Sequence, residues 1–589
     1  MLVCVLVCVL VATAGVAAAA PPNPKAKFST AKAFDVSPAL RDVSPIASLQ
    51  GASLQPSAPL VEIRPERGPV AKDKGFSGDG ALRGGARMTQ EAALAAATIP
   101  GTLQNFEGIS NQDNFNIFGF RVNPPDPVGD VGPNHYVEMV NLAFAVYDKT
   151  GNLLMGPLPI GALWEGFAVE DCTDPSGDPI VLHDQLEDRW ILSQFTTRGP
   201  KYYDCVAISQ TGDPTGAYYR YAFVTQPDPE LPGGTFFPDY PKYGVWTHSY
   251  IMTTRDFGDI TGYGISVYAL EKNKMLAGNP KARAVQFFLD SNVVPLNLLG
   301  DGLLPPDIDG TRRPQDHVPA PIVGTQDDDA LYGAPSDALN IFDLFVKWNA
   351  TPEASLKLAA QLPVAAFDSA FPCAPTSRDC IPQPGITNTA QYLDVLSYRQ
   401  RPTHRLAYRN FGKYEAMATN QSVEARPGIA GVRWYEIRRT EVKKQFTYSV
   451  RQQGTYSPDN VHRWMGSVAQ DWQGNTALGY SVSDATSVYP GIRYTGRLAA
   501  DPLGTMSLGE GVIIDGTGVQ TTTNSRWGDY TSMNVDPTDD CTFWYVNEYY
   551  EVSGLPLPLP PPPLPPPGTT APWQTRIGSF KLPGCVPKP

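Results

Sequence analysis

The chain has 589 residues, of which 42% are hydrophobic and 18% are charged, and its formal net charge is −13 with a pI near 5.0. This acidic balance excludes the basic surface that binding to nucleic-acid phosphates requires. The 53 glycines and 58 prolines favour turns over long helices.

Residues 2–16 form an apolar run, and four alanines follow it up to Ala20, as is typical of a secretory signal sequence. We expect residues 1–20 to be removed, and a retained signal anchor is the alternative. Because no later stretch has ~18 uninterrupted apolar residues, the sequence predicts no further membrane span. It therefore predicts a secreted protein, either extracellular or held at the cell surface.

Residues 21–104 are rich in Pro, Ala, Gly and Ser and lack a sustained hydrophobic period, which predicts a disordered leader or propeptide. From residue 105 to 585, short runs of Val, Tyr, Phe and Ile alternate with Gly, Pro and Asp turns. This alternation predicts an all-β domain. Residues 555–568 are dominated by Leu and Pro, which favours a polyproline II loop inserted into that domain.

Six cysteines remain after removal of the signal sequence, and an even number in an exported protein favours disulfides. Six cysteines allow 15 pairings. A zinc site is the alternative, but the chain has no Cys-x-x-Cys motif. Pairing of sequence neighbours predicts the bridges Cys172–Cys205, Cys373–Cys380 and Cys541–Cys585.

The clearest repeat unit spans residues 525–546. It begins with Arg526-Trp527-Gly528-Asp529-Tyr530 and ends, after an acidic turn, in an aromatic strand. Third and fourth strand-like runs follow the copies, with residues 575–580 as the fourth run of the last unit. The units therefore predict a β-propeller of seven four-stranded blades, with six or eight as alternatives. Residues just before each inner strand would then meet at one mouth of the central channel. Weaker copies of the unit occur at residues 125–140, 177–192, 238–254, 316–332, 412–417 and 463–480.

Four of the predicted entry positions hold a carboxylate. Converging carboxylates bind Ca²⁺ through oxygen ligands or raise one another's pKa for acid–base chemistry. The alternative is that each aspartate caps its own strand entry through nearby backbone N–H groups. Apart from Ca²⁺, the sequence suggests no cofactor. The four residues are Asp126, Asp178, Asp239 and Asp529.

Arginines precede the predicted inner strands of three consecutive units, at Arg409, Arg463 and Arg526. Guanidinium groups bind carboxylates in a bidentate fashion, so three at one mouth would suit an acidic sugar. The alternative is pairing with the aspartates or stacking on neighbouring indoles. The candidate ligand-binding set also includes Trp464, Trp527 and Tyr530.

The stretches at residues 526–530, 539–545, 573–580 and 305–310 resemble a family of large secreted bacterial proteins of unknown function. This resemblance covers residues 106–585; it implies export and a propeller and assigns no catalytic residues. More distantly, the unit is similar to sialidase propellers, whose Asp-box hairpin is echoed at Asp471-Trp472-Gln473-Gly474-Asn475.

Together these observations predict an exported β-propeller that recognises a glycan or a protein at one channel mouth without catalysing a reaction. The alternative is a sialidase-like glycoside hydrolase or lyase that acts on acidic sugars. Retaining chemistry of that kind needs an acid carboxylate and a nucleophile in one pocket.

Overall fold

The computed structural model describes residues 23–43, 60–62, 98–226, 234–259, 262–328, 333–369, 379–394, 400–522, 525–556 and 569–588. Outside the described residues lie the predicted signal sequence, most of the predicted leader, Cys373 and loop residues 557–568.

Almost all regular structure in the described residues is β. The helices are α1 (Asn111–Phe118), α2 (Lys272–Leu276) and α3 (Leu296–Leu299), with short 3₁₀ turns at Leu40–Asp42, Ile160–Trp164, Glu170–Thr173 and Thr389–Gln391. The strands are β1 (Lys27–Thr30), β2 (Ala33–Val36), β3 (Leu60–Glu62), β4 (Gln104–Ser110), β5 (Arg121–Asn123), β6 (Val128–Val131), β7 (His135–Val140), β8 (Ala143–Asp148), β9 (Leu153–Pro159), β10 (Ile180–Asp184), β11 (Arg189–Phe195), β12 (Tyr203–Ser209), β13 (Tyr218–Val224), β14 (Phe236–Val245), β15 (Ser249–Gly258), β16 (Tyr263–Glu271), β17 (Arg283–Asp290), β18 (Pro306–Ile308), β19 (Ala320–Gln326), β20 (Ala338–Lys347), β21 (Glu353–Pro363), β22 (Asp379–Ile381), β23 (Leu393–Asp394), β24 (Thr403–Asn410), β25 (Glu415–Arg426), β26 (Ile429–Val442), β27 (Gln445–Tyr456), β28 (His462–Gln470), β29 (Thr476–Ser483), β30 (Tyr489–Arg497), β31 (Glu510–Gly516), β32 (Ser532–Val535), β33 (Thr542–Tyr550) and β34 (Trp573–Lys581).

Seven inner strands form a closed circle. In order they are β6, β10, β14, β18, β24, β28 and β32; each contacts the next, and β32 contacts β6. From each inner strand a sheet of antiparallel strands extends outwards. The predicted seven-bladed β-propeller is therefore confirmed, and we number the blades 1–7 from β6 to β32.

Blade 4 shares its inner strand with its neighbour. Leu304, just before β18, forms an antiparallel bridge with Val323 in β19, and β20 and β21 continue this sheet outwards. β18 itself pairs in parallel with β24 of blade 5. The copy at residues 316–332 contains β19, the second strand of blade 4, and not the inner strand β18, so the repeat pattern is displaced here by one strand.

Blade 7 is completed by the other end of the chain. Its strand order is β32-β33-β34-β4, so an N-terminal strand supplies the fourth position. Residues 575–580, which the repeat pattern assigns to the fourth strand, lie in β34, the third strand. The prediction was wrong because an alignment of consecutive units cannot detect a partner from the opposite terminus.

The repeat pattern is also displaced by one strand in blade 5. Residues 412–417 resemble an inner-strand entry, but in the structure they form the turn into β25, the second strand. The inner strand is β24, which carries His404, Arg405 and Arg409 and therefore lacks the expected apolar pattern.

Two short parts of the predicted leader pair with blade edges. β1 pairs with β17 of blade 3, and β2 pairs with β13 of blade 2. Phe34 packs on Tyr221 at 4.9 Å between ring centroids, and Asp35 accepts two hydrogen bonds from Arg220 at 2.6 and 2.7 Å. These contacts give blades 2 and 3 a fifth strand.

Two of the three predicted disulfides are confirmed. Cys172 bonds Cys205, with 5.9 Å between Cα atoms, and Cys541 bonds Cys585, with 5.8 Å between Cα atoms. The third predicted bridge includes Cys373 and so falls outside the described residues. In the described part of the chain, no helix has the length and apolar character needed to cross a bilayer.

Candidate active site at the channel mouth

The entry turns of the inner strands share an unusual backbone conformation. Asp126 and Asp178 each lie two positions before their inner strand, with φ of 47° and 43°. Tyr240, near the middle of β14, has φ of 53°. Left-handed backbone is uncommon for residues with a side chain and is found most often at turns and functional sites. The turns of Asp126 and Asp178 lie at the starts of inner strands, at one mouth of the channel, and Tyr240 lies at an irregularity of β14 between Asp239 and Lys242.

A hydrogen-bond network joins three of the four predicted aspartates. The Asp529 N–H donates to Asp126 Oδ1 at 2.6 Å, and Asn141 Nδ2 donates to Asp126 Oδ2 at 2.8 Å. Asn141 Oδ1 accepts from the Asp178 N–H at 2.9 Å. The network therefore connects blades 1, 2 and 7, whereas a cap on each strand's own entry would have stayed within one blade.

Two tyrosines and a lysine continue this network into blade 3. The Tyr240 hydroxyl donates to the Asp529 carbonyl at 3.3 Å, and the Tyr240 and Tyr530 ring centroids are 5.1 Å apart. Lys242 Nζ lies 2.9 Å from the Tyr240 centroid and 3.3 Å from the Tyr530 centroid. Among the described residues, this buried amine has no hydrogen-bond partner.

Arginines from blades 5 and 7 bring positive charge to Asp529. Arg526 Nη2 is 2.9 Å from Asp529 Oδ2, and Arg401 Nη2 is 3.8 Å from Oδ1. Arg401 also lies over the Tyr240 ring, 4.0 Å from its centroid. The Asp529 side chain keeps 12% exposure, so the group reaches solvent. We call the following eight residues the axial cluster: Asp126, Asp178, Tyr240, Lys242, Arg401, Arg526, Asp529 and Tyr530.

The two hydrogen-bonded aspartates have pKa values displaced in opposite directions. Burial, together with the negative charges of Asp529 and Asp178, raises the pKa of Asp126 to about 7. Burial alone would raise the pKa of Asp529 too, but Arg526 and Arg401 bring it below its ordinary value. Near neutral pH the pair therefore combines a carboxyl group that can give up a proton with an ionised carboxylate.

Burial also changes the charge of two neighbouring groups. It raises the pKa of the Glu548 carboxyl, which accepts the Gly528 N–H, well above its usual range. Burial and the nearby Arg401 lower the pKa of Lys242 well below that of an exposed lysine. The axial cluster is therefore less strongly charged than its composition implies.

The predicted arginines lie in separate ion pairs. Arg409, near the end of β24, is 2.7 Å from Asp540 and donates to the Gln470 carbonyl at 3.0 Å. Arg463, in β28, is 2.7 Å from Asp459 and 2.8 Å from Glu510. Of the three, the structure places Arg526 in the axial cluster.

The remaining predicted residues lie beside the axial cluster. Asp239 is in β14, opposite Arg255 of β15. Trp464 and Trp527 contact edge to face, with centroids 5.2 Å apart, and both are buried in the core. Trp527 Nε1 donates to Ser481 Oγ at 3.1 Å. These two indoles pack in the core next to Arg526 and do not form an open surface.

Four residues of the site were not selected from the sequence, and two of them carried a signal. Tyr240 follows Asp239 as Tyr530 follows Asp529, so the repeated Asp-Tyr pair identifies it. Arg401 lies two positions before β24, but the displaced repeat in blade 5 hid this spacing. Asn141 and Lys242 have no sequence signal, because their roles depend on contacts between blades.

Two acidic groups away from the axial cluster bear on cation binding. Asp307 and Asp309 face the Arg405 guanidinium at 3.0 and 2.7 Å, so an arginine already pairs with these two carboxylates. Asp327, Asp328 and Asp337 offer carboxylate oxygens within 4.8 Å of one another. Backbone N–H groups bond to this trio, as at Ser369 to Asp327, 2.8 Å.

Comparison with known proteins gives only weak structural similarity. No family model and no curated protein sequence matches the chain. An α-L-arabinanase of Penicillium chrysogenum solved with arabinobiose has a TM-score of 0.36 at 8% identity, covering 83% of this chain and 100% of that one. An endo-arabinase of Bacteroides thetaiotaomicron has a TM-score of 0.26 at 14% identity, covering 56% and 95%. An intramolecular trans-sialidase of Ruminococcus gnavus solved with oseltamivir carboxylate has a TM-score of 0.23 at 9% identity, covering 70% and 95%. Values this low transfer no activity, and the fold assignment rests on the ring of inner strands.

Proposed function

We propose that this protein is an exported glycoside hydrolase that acts on acidic glycans at the channel mouth. The observation that carries the proposal is the Asp126–Asp529 pair, which is held by a 2.6 Å hydrogen bond and has opposite pKa displacements. Two carboxyl groups with separated pKa values are the arrangement that glycosidic bond cleavage requires. The two disulfides support export, since such bonds persist in oxidising compartments.

In the proposed reaction, Asp126 supplies the proton. Below about pH 7 its carboxyl group is protonated, and it donates that proton to the leaving glycosidic oxygen as the C–O bond breaks. Asp529, kept ionised by Arg526 and Arg401, stabilises the positive charge on the sugar carbon. Water then adds to that carbon, and its proton restores Asp126. The same two guanidinium groups favour a substrate that carries a carboxylate.

A binding module is the second candidate, and a specific observation favours it. Asp529 bonds to Arg526 within its own segment, and most of the axial cluster is buried. Such a cluster can recognise a glycan or protein terminus without catalysis. The two functions predict different results in one experiment.

The test incubates the protein with polysaccharides that contain uronic or sialic acids and follows both binding and released sugar. We expect release by the wild type and a loss of about 100-fold or more in Asp126→Asn, with binding retained. Asp204→Asn is the matched control, because burial also raises the pKa of this carboxyl group to about 7 but it lies outside the axial cluster. Binding without release identifies a binding module, and release that Asp126→Asn leaves unchanged rejects the assignment of Asp126.

A further inference from the structure

The opposite face of the ring has a groove that the axial cluster does not use. The axial cluster lies at the starts of inner strands, whereas the groove is built from turns that follow them. His248 lies in the turn after β14, and Lys413 lies in the turn after β24. Asp316 and His317 belong to the connection between β18 and β19. The groove therefore lies across blades 3, 4 and 5 on the far face of the ring.

Three neighbouring cavities with shared lining residues form this groove. The largest, about 440 Å³, is lined by Trp348, His317 and their neighbours. A narrow cavity of about 20 Å³ shares His248 and Asp316 with it. The same narrow cavity shares Gln315 with a third cavity of about 250 Å³. We call this surface the rear groove and define it by Gln315, Asp316, His317, Trp348, Glu415 and Arg439.

One end of the rear groove has a fixed aromatic side chain. Trp348 is half-buried, and its Nε1 donates to Ser249 Oγ at 2.9 Å. The Arg283 guanidinium lies 5.3 Å from its ring centroid, and Phe28 approaches it edge-on at 6.4 Å. These contacts hold the indole in place beside the 440 Å³ cavity. A fixed, partly exposed indole is a surface on which the apolar face of a sugar ring can pack.

The other end has a buried donor without an acceptor. The Arg439 side chain is fully buried and lines the 250 Å³ cavity. Its Nη1 donates to the Pro319 carbonyl at 2.6 Å and its Nε pairs with Glu415, but Nη2 has no hydrogen-bond partner among the described residues. Nη2 is enclosed, with the guanidinium 5.3 Å from the Phe446 ring centroid and 5.8 Å from that of Tyr448, so Arg439 fixes the floor of the cavity. The exposed side chains of Thr440 and Glu441 line the same cavity and are open to a ligand.

Between these ends lie two exposed pairs of histidine and carboxylate. His248 Nε2 is 2.8 Å from Asp316, and His317 Nε2 is 2.9 Å from Glu441. Such pairs offer both donors and acceptors to hydroxyl groups. Acidic and basic side chains line the groove together, so it has no excess of one charge that would select a polyanion.

We propose that the rear groove is a second carbohydrate-binding site, which holds a hydroxyl-rich, neutral stretch of a polysaccharide. A sugar ring packs on Trp348, and hydroxyl groups further along the chain bond to the exposed His317–Glu441 pair. This site is independent of the axial cluster and would serve to keep a polymer on the protein. It remains a binding site whether or not the channel mouth is catalytic.

The test measures retardation of the full protein in native gels that contain neutral polysaccharides, namely arabinan, xylan, galactan or glucomannan. We expect at least one of them to retard the wild type and Trp348→Ala to weaken its apparent affinity at least tenfold. Trp472→Ala is the matched control, because Trp472 is also half-buried and lies in a turn on the same face, in blade 6. It should bind as the wild type does.

A second variant covers the case in which Trp348→Ala does not fold. Thr440→Trp fills the 250 Å³ cavity from an exposed position and should also abolish retardation. Absence of retardation by every polymer, or retardation that both groove variants retain, overturns the proposal. Retardation that Asp126→Asn abolishes while Trp348→Ala keeps it would place binding at the channel mouth and also overturn it.

Discussion

Asp126 links three blades through its two carboxylate oxygens. One oxygen accepts the Asp529 N–H of blade 7, and the other accepts the side chain of Asn141, which also bonds Asp178 of blade 2. Asparagine at position 126 keeps one oxygen acceptor, so it retains one of these hydrogen bonds and loses the other, and it cannot deliver a proton. The Asp126→Asn variant therefore removes the proton and one structural hydrogen bond together, so its thermal stability is measured beside its activity.

Glu138 is a buried carboxyl group in β7 that accepts the Ile109 N–H at 2.8 Å. Burial raises its pKa from 4.5 to about 8. Between these pH values the folded protein keeps a proton that the unfolded chain has released, so the free energy of unfolding falls as pH rises. Glu138→Gln cannot ionise, and its free energy of unfolding should fall less from pH 5 to pH 8, by roughly 2–4 kcal/mol.

Urea denaturation of the wild type and of Glu138→Gln at both pH values measures this difference. The exposed residue Glu551 provides the control, since Glu551→Gln should follow the wild type at each pH. Equal pH dependence of the wild type and Glu138→Gln would contradict the prediction.

At the residue scale, the sequence identified those site residues whose position repeats. Asp126, Asp178 and Asp529 each precede an inner strand, so their convergence followed from the propeller alone. The alternative of pairing with the four aspartates holds for Arg526, which pairs with Asp529, whereas Arg409 and Arg463 pair with other carboxylates. The spacing between a residue and the next inner strand predicts that the residue lies at the channel mouth. Its ion-pair partner depends on how the blades pack against one another.

Among the elements, β4 closes the ring because it supplies the fourth strand of blade 7. Gly108 lies within β4. A Cβ at this position would lie closer than van der Waals contact to the Glu138 carboxylate and the Thr575 hydroxyl. Gly108→Ala should therefore destabilise the protein by roughly 1–3 kcal/mol. Gly101→Ala is the matched control, because a Cβ there meets nothing within 4 Å, and it should change stability by less than ~0.5 kcal/mol.

Chemical denaturation of the two alanine variants beside the wild type checks this prediction. If Gly108→Ala and Gly101→Ala have equal stability, β4 does not fit tightly between blade 1 and β34.

The inner strands also explain where prediction of the elements failed. Apolar runs indicate strands in a sequence, but Arg405 in β24 forms ion pairs with Asp307 and Asp309 around the channel. An inner strand lined by buried ion pairs does not show the alternation of apolar and polar residues that identifies the outer strands. The predicted number of blades was still correct, because the second, third and fourth strands keep the alternation of apolar and polar residues.

For the whole molecule, the N-terminal strands β1 and β2 matter less to the stability of the ring than β4 does. β1 and β2 add fifth strands to blades that already have four, whereas β4 supplies the fourth strand of blade 7. A propeller depends on closing its circle, since an incomplete last blade exposes a strand edge and the adjoining core. Removal of residues 1–97 should therefore leave a folded ring, and removal of residues 1–110 should not.

Thermal unfolding followed by circular dichroism distinguishes the two truncated chains. We expect the chain that begins at residue 98 to keep a single cooperative transition, with a lower midpoint because the Arg220–Asp35 ion pair and the packing of Phe34 are lost. The chain that begins at residue 111 exposes the edge of β34, including Arg576 and Ile577, which pair with β4 in the intact ring. It should lose the cooperative transition and become sensitive to limited proteolysis. Equal midpoints for the two chains would show that blade 7 does not need β4 and that the ring is held closed by other contacts.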